Sequence, residues 1–233
     1  MPLIQGFRVK NFKSLRDVTL GRLWNQQHLE PLTPMTAVIG KNGVGKSSFF
    51  DAFGFLADCL KHGVEEACDL QGRGGFERLR SHGENGAIEF EIYYKETVKS
   101  RPITYEVSID IDRHGRPYVL KERLRQRRQG QSQGRPFSFL IFENGKGLAW
   151  KGQAAGEQSV GNDETTEDML SRLLPSFSDA GESNETELVE LSSNRHLAIT
   201  ILGALKEHPR IAAFRKFIEG WYLSYFTPDA ARG

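Results

Sequence analysis

The chain contains few cysteines and no long apolar run. Its two thiols, Cys59 and Cys68, come without a secretory signal, which favours reduced cysteines in a cytoplasmic protein over a disulfide framework. No apolar stretch approaches the ~20 residues that a transmembrane helix needs, so we expect no membrane association. A zinc site formed by the two cysteines and His62 would lack a fourth ligand at suitable spacing.

The sequence also lacks an excess of charge of either sign. It has 31 basic and 30 acidic residues and a net charge of +1, so nothing in its overall charge favours nucleic acid or an anionic membrane. A length of 233 residues suits one large domain or two small ones.

Glycine is abundant, and three glycines form an informative motif. Residues 36–53 are TAVIGKNGVGKSSFFDAF, in which a short apolar run precedes the pattern G-x-x-x-x-G-K-[ST]. Val38 and Ile39 predict a strand before this loop. Apolar residues at three- and four-residue steps predict a helix after it, which Gly63 ends. Strand, glycine loop and helix together indicate a phosphate-binding loop of the Walker A type.

The residue types of this loop explain the expected chemistry. Glycine lets the backbone curl, so that several N–H groups converge on one anion at a helix N-terminus. We expect Lys46 to reach the β- and γ-phosphates as the catalytic residue and the Ser47 hydroxyl to hold the metal. The predicted cofactors are ATP and Mg²⁺. The predicted binding residues are Gly40, Lys41, Asn42, Gly43, Val44, Gly45, Lys46, Ser47 and Ser48.

The middle of the chain predicts an antiparallel sheet. Asn144-Gly145 is a strong hairpin signal, because both residues accept positive φ. The segment before the strands, residues 72–85, is rich in glycine and arginine and predicts a loop. Alternating apolar residues predict strands at 4–12, 87–94, 103–112, 118–125, 137–143 and 148–151.

Two segments near the C-terminus differ in character. Residues 152–192 are acidic and rich in glycine, serine and asparagine, which predicts a mobile surface insertion. The pattern then becomes helical, and we expect one face to carry Leu197, Ile201 and Leu205. A second apolar stripe is expected to need a partner surface. It contains Phe214, Phe217, Trp221 and Tyr225.

Two stretches carry a family likeness. RVKNFKSL, at residues 8–15, and VIGKNGVGKSSFFDAF, at 38–53, resemble the start of ABC-type ATPase heads of the SMC/RecF/OLD class, which are also grouped with AAA-family ATPases. Residues 194–233 resemble the middle of predicted bacterial ATPases of this class. The resemblance implies that Lys13 and Ser14 lie beside the nucleotide; an ordinary surface position is the equal alternative.

The resemblance implies an α/β fold class. We expect a P-loop NTPase with an ABC-head-like N-terminal lobe, an added antiparallel β-sheet and a C-terminal helical segment. The predicted divisions are a nucleotide-binding lobe at 1–95, a β-hairpin extension at 96–151, an acidic insertion at 152–192 and a helical segment at 193–233. The last would lead into a second lobe that these residues do not contain.

Members of this class also need a Walker B strand and a serine-glycine signature, expected in that second lobe. The closest match to a Walker B, 139–143, has one acid and runs into the predicted hairpin, which favours an ordinary strand. The segment 191–194 lacks the signature glycine and is interpreted as a helix cap. Gln71 as a sensor of Mg²⁺ is weaker than a surface assignment, and Asp51 and Asp58 are interpreted as solvated helix positions. No general base is identified.

These observations leave several functions open. The first is an ATPase that works as a head-to-head homodimer and hydrolyses ATP only with motifs of a second half or partner, so that this chain alone is inactive. The second is a non-hydrolysing nucleotide-binding or regulatory module. The third, another P-loop NTPase such as a kinase or GTPase, is disfavoured by the antiparallel strands.

The evidence for nucleic-acid binding is limited to one basic run. DNA would contact this run through its phosphates, and a DNA-processing partner is the other possible partner. A solvated hairpin tip is the favoured alternative. No residue distinguishes DNA maintenance from defence against phage. The run consists of Lys121, Arg123, Arg125, Arg127, Arg128 and Arg135.

Overall fold

One antiparallel sheet dominates the computed structural model, which describes residues 3–97, 99–127, 136–150, 186–206 and 208–220. Its eight strands lie in the order β2-β1-β3-β4-β5-β6-β7-β8. The strands are β1 Leu3–Phe12, β2 Leu15–Gly21, β3 Ile88–Lys95, β4 Ile103–Ile111, β5 Pro117–Gln126, β6 Phe137–Glu143, β7 Lys146–Trp150 and β8 Thr186–Glu190.

Helices cover one face of this sheet. They are α1 Lys46–His62, α2 Val64–Asp69, α3 Phe76–Leu79, α4 Ala198–Leu202 and α5 Pro209–Glu219. Within the described ranges, no helix combines the length and apolarity needed to cross a membrane. The mixed α/β class is therefore confirmed, with an antiparallel sheet that includes β1 and β2 as well as the predicted middle strands.

Strand alternation determines which face is covered. Phe7 and Val9 of β1 are buried beneath α1, whereas Arg8 between them lies on the opposite face. The Phe7 ring stacks on Phe53 of α1 with centroids 4.0 Å apart, and Phe49 meets the same ring edge-on at 5.3 Å. These aromatic contacts fix the helix against the first strand.

The second aromatic stripe packs on the same covered face. Phe214 of α5 is fully buried between Tyr94 and Tyr105, at centroid distances of 5.3 and 4.9 Å. Phe217 stacks on Tyr94 at 4.2 Å. The expectation that Phe214 and Phe217 need a partner surface is therefore wrong, because the chain's own sheet covers them. Trp221 and Tyr225 lie outside the described residues.

The predicted hairpin is confirmed. Asn144 and Gly145 have φ values of 52° and 82°, and Glu143 pairs with Lys146 across the turn. Residues 139–143 therefore belong to β6, which is paired on both sides with antiparallel strands. The preference for an ordinary strand over a Walker B is confirmed.

Three local predictions are wrong. The segment 72–85 contains the short helix α3, which the loop prediction missed. Residues 186–190, assigned to the acidic insertion, form β8 because they pair with β7; residues 152–185 of that insertion lie outside the described ranges. In the helical segment, Leu197 is buried, but Ile201 and Leu205 are exposed, so the three leucine and isoleucine positions do not form one covered face.

The cap of α4 also differs from the prediction. The segment 191–194 supplies no cap; the buried Glu122 carboxylate of β5 accepts the backbone N–H groups of Ala198 and Ile199, the latter at 3.1 Å. The Tyr105 hydroxyl donates to the same carboxylate at 3.0 Å. Burial raises the pKa of Glu122 to about 7, while these three hydrogen bonds act in the opposite direction.

We predict that Glu122→Ala lowers the free energy of unfolding by about 2–4 kcal/mol, because two backbone donors and one hydroxyl lose a buried acceptor. Urea unfolding followed by circular dichroism measures the change. The control is Glu143→Ala on the neighbouring strand, which removes a surface pairing with Lys121 and should cost about 1 kcal/mol or less. Equal losses for both variants would contradict the buried role.

The uncovered face of the sheet carries ionic residues around a groove of about 260 Å³. Lys10 pairs with Glu89 at 3.0 Å, and Arg125 pairs with Glu106 beneath the ring of Trp24. Three members of the predicted basic run thus have partners within the chain: Lys121 with Glu143, Arg123 with Ser138, and Arg125 with Glu106. Arg128 and Arg135 lie outside the described residues.

Glu91 differs from these paired residues of the groove. It is 9% exposed, it faces Glu106 across the β3–β4 pair, and within the described residues its Oε1 atom has no hydrogen-bond partner. Burial, followed by the charge of Glu106, raises the pKa of Glu91 from 4.5 to about 7. The folded protein therefore binds this proton more tightly than the unfolded chain does.

This shift predicts a pH-dependent effect of Glu91→Gln. The protonated carboxyl stabilises the fold below pH ~4.5, and that contribution is lost as the pH rises through ~7. Relative to wild type, the variant should gain on the order of 2 kcal/mol at pH 8 and little at pH 4.5. Unfolding free energies at a series of pH values test this.

Glu89→Gln is the matched control, because it lies two residues away on the same strand face in an exposed pair with Lys10. Its difference from wild type should stay nearly constant across this pH range. A Glu91→Gln profile parallel to that of wild type would refute the assignment.

Candidate functional site

The glycine loop leads directly into α1, as predicted. Helix α1 begins at Lys46 and ends at His62, and the N–H of the following Gly63 donates to the Cys59 carbonyl. Gly43 and Gly45 have φ values of 82° and 101°, a conformation that favours glycine. A 17-residue helix therefore points its N-terminus at a curled, glycine-rich backbone.

The Lys46 side chain folds back over this loop. Its Nζ atom donates to the backbone carbonyls of Gly40 and Lys41 at 2.6 and 2.7 Å. An arriving phosphate would offer the ammonium group anionic oxygens in place of these two neutral acceptors. The lysine thus already lies inside the curve of the loop.

Two serines follow the lysine and face different surroundings. Ser47 is exposed, and its hydroxyl makes no hydrogen bond within the described residues. The hydroxyl of Ser48 accepts a hydrogen bond of 3.1 Å from Ser14, in the turn between β1 and β2. Only the first hydroxyl is therefore open for a metal ion.

The strand predicted before the loop is absent. Residues 37–40 have no regular secondary structure, and within the described residues the backbone of Ala37, Val38 and Ile39 makes no hydrogen bond. The exposed fractions of Met35 and Ile39 are 90% and 93%. A strand needs a neighbouring strand, and within the described ranges none lies beside this segment.

The β1–β2 turn is held in an uncommon backbone conformation. Asn11 and Lys13 have positive φ values of 61° and 51°. The Asn11 amide donates to the carbonyls of Gly86 and Ala87 at 2.6 and 3.2 Å, and the Lys13 N–H donates to Leu79 at 2.6 Å. Strained residues persist where their surroundings over-determine them, so these contacts fix the turn.

The fixed turn packs against the start of the phosphate loop helix. A Cβ atom on Gly45 would lie 2.9 Å from the Ser14 hydroxyl and 2.8 Å from a Leu15 methyl group. Lys13 reaches the second turn of α1, where its ammonium lies 2.6 Å from Asp51. The structure therefore brings Lys13 and Ser14 against α1, the helix that follows the loop.

An ion-pair cluster extends from this contact into the core. It consists of Lys13, Asp51, Asp58 and Arg73. The Arg73 guanidinium is buried and donates to Asp51 at 3.1 Å, to Asp58 at 2.6 Å and to the Ala67 carbonyl at 3.0 Å. The interpretation of the two aspartates as solvated is wrong for Asp51, which is 7% exposed.

One sequence signal could have indicated this cluster. Asp51 and Asp58 are seven residues apart, which places both carboxylates on one side of a helix beside the apolar positions Ala52 and Phe55. Their partner Arg73 lies 15 residues beyond Asp58, in a segment without periodicity. The pairing therefore depends on a tertiary contact that local patterns do not encode.

The remaining predicted residues contribute little to the site. Gln71 is exposed, with a φ of 57°. Cys59 and Cys68 are buried free thiols; burial raises the pKa of both, that of Cys68 to about 12. The described ranges contain no group of three side chains arranged to hold a metal, so the zinc alternative with His62 is not supported.

The acid of the rejected Walker B match lies on the wrong side of the sheet for the loop. Glu143 lines the groove on the uncovered face, whereas α1 packs on the opposite face. The arrangement around the loop thus provides backbone donors, a lysine and a serine for a phosphate chain and a divalent metal.

The tight packing at Gly45 predicts a difference between two glycine substitutions. Gly43→Ala meets no atom within 4 Å, so it adds only backbone strain of about 1 kcal/mol. Gly45→Ala adds the same strain and the two contacts below 3 Å, so we expect a loss of about 2–4 kcal/mol. Thermal unfolding without nucleotide compares them, and equal melting temperatures would contradict the packing of the turn.

Comparison with known proteins gave one family. The family model described as "AAA domain, putative AbiEii toxin, Type IV TA system" matches residues 35–162, more than half of the chain. The matched region includes the glycine loop, α1 and strands β3 to β7. Neither the curated proteins nor the solved structures gave a match.

Proposed function

We propose a function from the premise that this chain belongs to the AAA-domain family, a family of P-loop ATPases. The chain is the ATP-binding part of an ATPase with an SMC/RecF-like head. The loop at Gly40–Ser48 holds ATP and Mg²⁺. Hydrolysis requires a Walker B acid and a signature motif that another segment or a partner supplies.

The geometry of the loop carries the binding half of this proposal. Lys46 lies inside the curve of the backbone, and its two carbonyl partners are exchangeable for phosphate oxygens. The exposed Ser47 hydroxyl is the ligand that this chain offers to Mg²⁺. We include Lys13 and Ser14 among the residues that contact the same anion, because both side chains contact the first two turns of α1.

Three observations support the requirement for further groups. Within the described residues, the backbone of residues 37–39 makes no hydrogen bond, which is the condition that an added strand relieves. The apolar side chains of Met35 and Ile39 are uncovered beside them. Glu143, the acid of the only Walker B match within the described strands, faces away from the loop.

The proposed class rests on the resemblance of residues 11–14 (NFKS), which lie at the turn between β1 and β2. The contact of this turn with α1 supports an SMC/RecF-like head over a kinase or GTPase. We propose that two heads associate as a homodimer around ATP and that DNA or a DNA-processing partner is acted on. A non-hydrolysing regulatory module is the second candidate, favoured by the lack of a Walker B acid at the loop within the described residues.

ATP binding is tested by Lys46→Ala. The variant should bind Mg-ATP at least about tenfold more weakly, because the ammonium that neutralises the phosphates is gone. Isothermal titration calorimetry measures the affinity. Lys61→Ala removes the same charge from the last turn of α1 and should bind like wild type. Equal affinities for wild type and Lys46→Ala would overturn the proposed site.

Phosphate release by the same purified chain tests the requirement for another segment. This chain should bind ATP without turnover. Hydrolysis that disappears in Lys46→Ala would show that a general base lies within these 233 residues and would contradict the requirement for another segment.

A further inference from the structure

We propose that Asp51 is a positioning residue for nucleotide binding, which holds the Lys13 ammonium beside the phosphate loop and is itself held by Arg73. This proposal rests on the proposed function, because it assumes that the loop binds ATP. It assigns a role to a buried carboxylate that does not itself contact the nucleotide.

The contacts of Asp51 divide between two cations. Its Oδ2 atom lies 2.6 Å from the Lys13 ammonium, and its Oδ1 atom accepts the Arg73 Nε–H at 3.1 Å. This ion pair with Lys13 is the contact of Oδ2, because within the described residues Oδ2 accepts no hydrogen bond of regular geometry. Each oxygen therefore serves one cation, and the carboxylate bridges the turn to the core.

The Arg73 side of this bridge is rigid. The guanidinium is buried, it also donates to Asp58 and to the Ala67 carbonyl, and it lies 5.6 Å from the centre of the Phe55 ring. A buried arginine with several fixed partners has little freedom to move. Asp51 is thereby locked in one orientation, with its second oxygen turned toward Lys13.

The Lys13 side of the bridge lies against the first two turns of α1, the helix that follows the phosphate loop. Its neighbour Ser14 contacts Ser48, one residue beyond the proposed metal ligand Ser47. A lysine side chain is flexible and loses much rotamer freedom when it is immobilised. By holding the ammonium in place before ATP arrives, Asp51 reduces that cost at the moment of binding.

A positioning role and simple electrostatics predict opposite changes in ATP affinity for Asp51→Asn. Asp51 is negative and close to an anion site, so its charge alone weakens ATP binding. Asp51→Asn would then bind ATP more tightly than wild type. If Asp51 acts by positioning Lys13, the same substitution weakens ATP binding, because the Lys13 ammonium is no longer held in one position before ATP binds.

The experiment is a double-mutant cycle on Mg-ATP affinity, measured by calorimetry, with Lys13→Ala, Asp51→Asn and the combined variant. We expect each single substitution to weaken binding by about fivefold to tenfold, and the second substitution to add almost nothing once the first is present. Such coupling belongs to a contacting pair, and a general loss of stability would not produce it.

Glu122→Ala is the control for stability. It removes a buried carboxylate that accepts hydrogen bonds from Tyr105, Ala198 and Ile199, outside the cluster of Lys13, Asp51, Asp58 and Arg73. Its melting temperature should fall as in Asp51→Asn, while its ATP affinity stays within about twofold of wild type. A loss of ATP affinity equal to that of Asp51→Asn would assign the effect to stability and overturn the positioning role.

Other outcomes separate this proposal from the proposed function. If wild type binds ATP through Lys46 but Asp51→Asn binds equally or more tightly, or if the two substitutions are additive, the positioning role is wrong and the nucleotide site stands. If wild type binds no ATP, both proposals are wrong.

Discussion

The stacking of Phe53 on Phe7 joins the first strand of the sheet to the helix that carries the phosphate loop. The rings lie 4.0 Å apart at an angle of 21°, and Phe49 adds an edge contact with the same strand residue. The loop itself has little internal support, since its one backbone bond joins Val44 to Lys41 at 3.4 Å. Its position therefore depends on an aromatic core beneath it. Because Lys46 is the first residue of that helix, the direction of the helix N-terminus is set before any ligand is present.

Local patterns predicted the parts of this fold that local forces determine. The glycine loop, the start and end of α1 and the Asn144-Gly145 turn depend on backbone preferences of a few adjacent residues. Strict alternation predicted β3 and β4, because one buried face imposes a period of two. The continuity of β1 with these strands in one sheet was not predicted, since pairing between Val9 and Phe90 involves residues 81 positions apart. The contact of the β1–β2 turn with α1 came only from the family resemblance.

Three of the wrong predictions share a physical cause, namely a partner that is distant in sequence. Phe214 looked like part of a surface stripe, but Tyr94 and Tyr105 cover it. The backbone of α4 is capped by Glu122, some 76 residues earlier, rather than by the adjacent serines. Asp51 looked solvated because its partner Arg73 lies in a loop. In each case a polar or aromatic group is satisfied by tertiary contact, and single-sequence patterns carry no information about that contact.

The two sides of the phosphate loop differ in how well they are packed. On the C-terminal side, Gly45 and Ser48 contact the β1–β2 turn so closely that an added methyl group would clash. On the N-terminal side, Ile39 is exposed, and within the described residues the backbone of 37–39 makes no hydrogen bond. In the proposed site a nucleotide would contact both sides, because the loop backbone curls around the phosphates between them. Tight packing on one side fixes the donors of the helix N-terminus, whereas within the described residues no such packing holds the other side. A strand that paired with residues 37–39 would therefore change the geometry of the phosphate site directly, which is how the proposed partner segment would complete the site.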